Sequence, residues 1–308
     1  MRHPHLLLAA GTAALLAAAA GRAQTPSELP APQATVLFGQ RIQYYDVGSG
    51  PTVVLLHGMG SSARGDWGKC IMALAAHHRV LAPDQLGFGG SDKPIIDYGI
   101  QTWVDFLGEF LRERRPGEFS LVGESLGGWI AAQYAIQSLG SAAPAGPSFA
   151  LPRPSRLVLS DAAGHRRLAK TISGGGSVSS LASSKALLEG VFHGAAWRTD
   201  DALRAEFARS MGKGDAWTIR SFSSNPAIQA EAVDDQLGAI TIPTLVVWGA
   251  EDRLVPLDDG RDFAARIAGA RLVVIADCGH APCIESPQAF LGAVEPFLGG
   301  APPKAANP

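Results

Sequence analysis

The amino-acid sequence predicts an α/β fold: a mostly parallel, doubly wound sheet covered by helices and interrupted by a helical cap insertion. Three observations predict it. Short β-rich runs recur along the chain, "TVVLLHG", "RVLAPD", "FSLVGES", "RLVLSDA", "TLVVWGA" and "RLVVIAD", with helical stretches between them. The runs are apolar at consecutive positions, so both faces of each strand must be buried, as in a parallel sheet flanked by helices. The alternation lapses between about His165 and Gly238, where "SSKALLEGVF" and "DDALRAEFARSM" have helical character and no convincing strand occurs. With 308 residues, 46% hydrophobic and 18% charged, the chain is long enough to bury a large core and still carry such an insertion.

The start of the chain has the pattern of a secretory signal peptide over residues 1–23. Arg2 lies in a short charged region, Leu6 to Ala20 form a small and apolar run, and Gly21 and Ala23 are small residues at a cleavage site. The run is shorter than the ~20 residues that span a bilayer comfortably. The mature chain is therefore expected to be exported, periplasmic or secreted, with no stable membrane span after cleavage. No cysteine follows the run to carry a lipid. A Pro-rich linker occupies 24–34. "TVLF" and "RIQYYDVG" then flank Gly39-Gln40, read as a two-residue hairpin turn with glycine in the first central position.

The core is expected over 35–164 and 239–298. Within it, Ile100, Trp103, Val104, Leu107 and Leu111 follow helical spacing as a core-facing stripe. "RERR" at Arg112–Arg115 closes that helix, where cations complement the negative end of the dipole. The Pro/Ala-rich "GSAAPAGPSFALPRP" reads as a surface loop. The cap spans 165–238; its "SGGGS" at Ser173–Ser177 has no preceding strand and no following Lys-Ser/Thr, which makes it a hinge and not a phosphate cradle. Residues 299–308 read as a disordered tail.

A net charge of −2 gives no basic excess to recruit nucleic acid. Cys70, Cys278 and Cys283 form an odd set that allows at most one internal bridge in an oxidising compartment, with the pairing left open. No C-x-x-C or H-E-x-x-H occurs, and the adjacent His77 and His78 face different directions on a helix, so no metal is expected. The sequence leaves the oligomeric state open.

The chemistry centres on "GESLG" at Gly123–Gly127, placed between the strand-like "FSLV" and the helix-like "GWIAAQYA". A serine fenced by glycines at a strand-to-helix elbow is held above the sheet as a nucleophile, which nominates Ser125. A serine hydroxyl needs a base. Of the eight histidines, His280 in "DCGHAPCIESP" stands in a loop after the last strand-like run, the position from which a base can reach the elbow. The base needs a carboxylate to fix its tautomer. "WGAEDRLVP" offers Glu251 and Asp252 after the penultimate strand, with Asp252 preferred; Asp161, after "RLVLS", is the rival one strand earlier. "LLHGMGSS" follows an early strand and can aim the backbone N–H of Met59, together with that of Leu126, at a developing oxyanion. His57 in the same loop reads as a structural hydrogen-bonding residue.

"HGMG", "PDQLGFGGSDKP", "GESLGG", "WGAEDRLVP" and "GHAPCIESP" together resemble the α/β-hydrolase superfamily over roughly Thr35 to Leu298. The resemblance implies the α/β-hydrolase fold, Ser125, Asp252 and His280 as a triad, Met59 and Leu126 as oxyanion donors, the insertion as a cap and Asp84 as a structural turn residue. No organic cofactor or metal is implied. "PDQLGFGGSDKP" and "WGAEDRLVPLDDG" also look like carbon–carbon bond hydrolases of ring-fission products; haloalkane dehalogenases and epoxide hydrolases share similar segments but use an aspartate nucleophile. The expected reaction is hydrolysis of a carboxylic ester through an acyl-enzyme, with carbon–carbon hydrolysis, acyl transfer, perhydrolysis and a non-catalytic binding role as alternatives. Phe192, Trp197, Phe207, Met211, Trp217 and Phe222 offer an apolar lining suited to a small-molecule substrate. A carbon–carbon hydrolase also requires a cation for the substrate carboxylate, for which Arg166 and Arg220 are the candidates.

Overall fold

The computed structural model describes residues 28–140, 150–168 and 178–299. The signal-peptide segment 1–23, "SGGGS", most of the Pro/Ala-rich loop and the tail from 300 onward lie outside the described residues. The described chain forms an eight-stranded sheet: β1 (Gln33–Leu37), β2 (Gln40–Gly48), β3 (Thr52–Leu56), β4 (Arg79–Pro83), β5 (Phe119–Glu124), β6 (Arg156–Ser160), β7 (Thr244–Gly249) and β8 (Arg271–Ile275). The spatial order is β1-β2-β4-β3-β5-β6-β7-β8, antiparallel where β2 meets β1 and β4 and parallel elsewhere.

The β1–β2 hairpin turns one residue earlier than the sequence suggests. Leu37 pairs with Gln40, so Phe38 and Gly39 are the central residues, with φ of 49° and 77°. Positive φ at both positions is the turn type whose twist matches a hairpin, and it puts glycine second. A one-residue slip exchanges faces: Leu37 is buried, while Phe38 stays exposed with its ring edge-on to Phe106.

Strand side chains alternate between two apolar layers. Val54, Leu56, Leu121 and Trp248 join α3 (Ile100–Arg114), α4 (Leu126–Leu139) and α8 (Leu257–Arg266) on one face. Val53, Leu55, Val122 and Val247 join α1 (Ala63–Trp67), α2 (Ile71–Ala75) and α10 (Pro287–Leu298) on the other. Trp67, Trp103, Trp129 and Trp248 are all fully buried, each worth upward of about 1.5–3 kcal/mol of apolar burial. Helix α3 buries the expected stripe and ends at Arg115 in the left-handed conformation, with Arg112 and Arg114 in its last turn. His77 and His78 fall just past α2 rather than within a helix.

Between β6 and β7 no strand occurs among the described residues. The segment contains α5 (Leu181–Val191), α6 (Asp200–Gly212) and α7 (Ala216–Ser224). Ser180 caps α5 by accepting from Ser183 N, and Thr199 caps α6 by accepting from Ala202 N. Phe222 of α7 anchors the segment to the core, edge-on to both Trp103 and Trp129. A short helix, α9 (Pro282–Glu285), follows β8 and precedes α10.

Candidate active site

Ser125 sits on the elbow between β5 and α4 with φ 54° and ψ −117°. For a non-glycine residue this conformation costs on the order of 1–3 kcal/mol and persists only where its surroundings enforce it. Three backbone hydrogen bonds do so: Ser125 N donates to Ser160 O at 3.0 Å, and Ser125 O accepts from Trp129 N at 3.1 Å and Ala163 N at 3.0 Å. The flanking glycines are required by space. A Cβ at Gly123 would run into the carbonyl of Gly127, and one at Gly127 into the carbonyl of Leu56.

His280 is held by its own N–H, which donates to Val191 O at 2.7 Å, so the base is tied to the last residue of α5. Its Nδ1 lies 2.7 Å from Asp252 Oδ2 and its Nε2 lies 2.8 Å from Ser125 Oγ. A carboxylate only accepts, so Nδ1 carries the proton and Nε2 receives the serine O–H. Both ring nitrogens are thereby engaged. Asp161, Asp252 and His280 bring one ligand atom each within 4.8 Å of one another, but the imidazole nitrogen on that side, Nδ1, is already hydrogen-bonded to Asp252 Oδ2.

The structure separates the three carboxylates that the sequence left in contention. Asp252 Oδ1 accepts from Leu254 N at 2.7 Å and Val255 N at 2.9 Å, which aims Oδ2 at the imidazole. Glu251 turns the other way and accepts from Cys278 N at 2.9 Å, bracing the histidine loop. Asp161, at the end of β6, accepts from Gly249 N at 2.9 Å and Ser160 Oγ at 3.1 Å and hydrogen-bonds to Asp252, one step removed from the histidine. Burial, and next the Asp252 charge, push the Asp161 carboxyl well above the usual range.

The loop after β3 and the start of α4 carry the two backbone N–H groups that the sequence nominates as oxyanion donors. Leu126 is the first residue of α4, so its N–H is among the donors that a helix leaves without an intrahelical partner. Met59 is partly exposed beside Gly58, whose missing Cβ lets the loop approach Ser125 Cβ. His57 is structural: its Nδ1 donates to Gly58 O at 2.8 Å and its Nε2 accepts from Gln85 N at 2.9 Å. Asp84 accepts from Ala63 N and Gly90 N, both at 2.7 Å, and thereby ties the loop after β4 to α1.

Several contributors escaped the sequence reading. Glu285 accepts from Gly279 N at 2.7 Å, His193 N at 3.2 Å and Gly194 N at 2.5 Å, linking the histidine loop to the helical insertion. Lys213 Nζ and Arg209 Nη1, from the insertion, both donate to Gly60 O beside Met59. Desolvation, then the Arg209 charge, lower the Lys213 pKa. Asp66 and Glu124 sit under the same loop; Glu124 occupies the variable position of the pentapeptide itself, an ionisable residue at the end of an otherwise apolar strand. Of the aromatic residues expected to line a pocket, Phe222 is instead withdrawn into the core, and Phe192 stacks on Trp197 with Lys69 over its ring.

An alpha/beta hydrolase family model matches residues 53–293, most of the chain. The chain belongs to the α/β-hydrolase family. Its sheet order and elbow are those of an α/β-hydrolase fold, and it is similar to relatives across most of their length. A 2-hydroxy-6-oxononadienedioate/2-hydroxy-6-oxononatrienedioate hydrolase of Cupriavidus pinatubonensis is 31% identical over 84% of this chain and 91% of its own. A 2-hydroxy-6-oxo-2,4-heptadienoate hydrolase of Pseudomonas putida is 29% identical over 84% of this chain and 93% of its own. The solved structure of a meta-cleavage product hydrolase from Pseudomonas fluorescens is similar with a TM-score of 0.75 at 28% identity, covering 88% of this chain and 98% of that one.

Proposed function

We propose that this α/β-hydrolase cleaves a carboxylic ester of modest size by acyl transfer through Ser125. The observation that carries the reading is the continuous relay from Ser125 Oγ through His280 to Asp252, at 2.8 and 2.7 Å. In this mechanism His280 takes the hydroxyl proton as Ser125 attacks the carbonyl carbon, and the N–H groups of Met59 and Leu126 receive the oxyanion. His280 then protonates the leaving alkoxide and later activates the water that releases the acid. The insertion acts as a cap over the substrate.

A second reading, hydrolysis of a carbon–carbon bond in a ring-fission product, is favoured by what the similar relatives do. Ester hydrolysis is preferred on charge. Of the two cap arginines considered for a substrate carboxylate, Arg166 is ion-paired with Asp235 and Arg220 is exposed. Arg209 is engaged by Glu206 and Lys213 by the Gly60 carbonyl. Steady-state comparison of p-nitrophenyl butyrate with a ring-fission dienoate tests the ranking. The ester is expected to be the better substrate; a kcat/KM for the dienoate more than about 100-fold higher, ~2.7 kcal/mol of transition-state preference, would replace the ester reading with the second.

Export is part of the proposal, supported by the pattern of residues 1–23; no helix of the described residues is long and apolar enough to cross a membrane. An intact mass beginning near Gln24 in protein from its native host is the expected result, and a full-length cytosolic form the contrary one.

A further inference from the structure

Glu124 is the last residue of β5, immediately before Ser125, and its side chain is almost wholly buried. Its Oε1 lies 3.7 Å from His280 Nε2, the same nitrogen that receives the serine proton. Beneath the loop after β3 it meets Asp66 of α1, itself buried: Glu124 Oε2 fills the space a Cβ at Gly58 would take, and Gly58 N donates to Asp66 Oδ2 at 2.7 Å, so both carboxyl groups close on the same residue. Two buried carboxylates this close repel each other, and they can share a hydrogen bond only when one of them holds a proton.

The surroundings decide which. Asp66 accepts from Gly58 N at 2.7 Å through Oδ2 and from Ser61 Oγ through Oδ1, so both of its oxygens already serve as acceptors. The groups facing Glu124 are Asp66 on α1, Asp161 at the end of β6, Asp252 after β7, His280, and the Cys283 thiol on α9. None is a fixed cation, and the Lys213 ammonium acts on Asp66, not on Glu124. Burial first, and then the Asp66 charge, raise the Glu124 carboxyl well above its ordinary value. Glu124 is therefore the member of the pair that holds the proton, and Asp66 the member whose oxygens accept.

The position of the pair gives it a task. Asp66 clamps both ends of the Gly58–Ser61 segment, and Glu124 Oε2 occupies the space that a side chain at residue 58 would fill. We propose that Glu124 and Asp66 form a carboxylic acid–carboxylate pair that positions the Gly58–Ser61 loop for oxyanion binding, and that loss of the shared proton sets the alkaline limit of activity. The inference rests on the serine-hydrolase reading for its catalytic consequence, though not for the existence of the pair. With Glu124 ionised, two anions repel across the base of the loop, and a second carboxylate beside His280 Nε2 traps the imidazolium instead of letting it return its proton. Both are positioning residues that act through the loop and the histidine.

The experiment compares the wild type with Glu124→Gln and Glu124→Ala in two measurements. Glutamine is neutral, similar in shape and still donates to Asp66. In the first measurement, urea unfolding as a function of pH, no turnover is needed. A buried acid with a raised pKa keeps its proton in the folded state after the unfolded chain has lost it, so its contribution to stability falls as pH rises above the ordinary value of 4.5. Wild-type stability should accordingly decline relative to Glu124→Gln with rising pH. Parallel curves would overturn the pair, whatever the activity. In the second measurement, the pH dependence of kcat/KM for an ester, Glu124→Ala should lose about 10²-fold through displacement of the loop, and Glu124→Gln should recover most of that loss while moving the alkaline limb up by about one unit or more. An alkaline limb unchanged in Glu124→Gln, or a Glu124→Ala variant as active as wild type, would overturn the positioning role. Absence of esterase activity in the wild type alongside diverging stability curves would instead remove the ester-hydrolase reading and retain the pair.

Discussion

Every residue of β3, β5 and β7 is buried, whereas α6, thirteen residues long, buries only Glu206. The sheet is organised by apolar packing on two faces, and it delivers Ser125 from the end of β5 and Asp252 from just beyond β7 with little freedom to move. Among the described residues, the helical insertion is held to the core by Phe222, Ile228 and Val233 near its end, and to the site by polar ties: Val191 O on His280 N, Glu285 on the His193–Gly194 backbone, and Lys213 with Arg209 on Gly60 O. Packing thus fixes Ser125 and Asp252, while polar contacts adjust His280 and the Gly58–Ser61 loop. Substitutions in the two regions should therefore fail in different ways.

The largest effects belong to the sheet-borne relay. Ser125→Ala and His280→Ala should each lower kcat by about 10⁶-fold, because the relay acts as a unit. Asp252→Asn should cost about 10⁴-fold by favouring the wrong imidazole tautomer. Asp161→Asn tests the line between acid and support: it should chiefly cost stability, about 1–3 kcal/mol for a disturbed buried hydrogen-bond set, read by urea unfolding. A loss of turnover greater than that of Asp252→Asn would move the acid to Asp161.

The same contrast can be read in stability alone. Trp248 is fully buried, with its Nε1 donating to Val255 O at 3.0 Å; Trp248→Ala should cost about 3–5 kcal/mol. Trp217 on α7 is 45% exposed, so Trp217→Ala should cost no more than about 1 kcal/mol, with changes in KM as the more sensitive readout. Equal losses would mean that the insertion is packed as tightly as the sheet. Smallest is the effect of Lys213→Met, which removes one tie on the oxyanion loop and should reduce kcat by roughly 10-fold at unchanged fold stability, a fraction of the loss from deleting a direct donor.

The sheet was legible in the sequence because parallel strands buried on both faces are written as consecutive apolar residues. The hairpin was legible only to within one position, since Phe38 adopts the positive φ that glycine would ordinarily take. Ser125 and His280 announced themselves through a motif and a place in the chain order. The choice among Glu251, Asp252 and Asp161 was not decidable by spacing, because strands β6 and β7 are neighbours and their ends open on the same point. Glu124 and Asp66 were hidden for another reason: the glycines and the serine define the pentapeptide, and the identity of its second residue matters only once α1 is folded against it. The insertion was least legible, its aromatic residues dividing between core anchor, surface and stacking pair in a way that no helical periodicity encodes.

The most direct test of the account is the mass of the protein after incubation with a fluorophosphonate, with the adduct located by peptide mapping. A single adduct on Ser125 is expected, absent in Ser125→Ala and formed far more slowly in His280→Ala, since the hydroxyl reacts only when Nε2, 2.8 Å away, takes its proton. Labelling that persists in Ser125→Ala, or that proceeds at the wild-type rate in His280→Ala, would contradict a serine activated by that histidine.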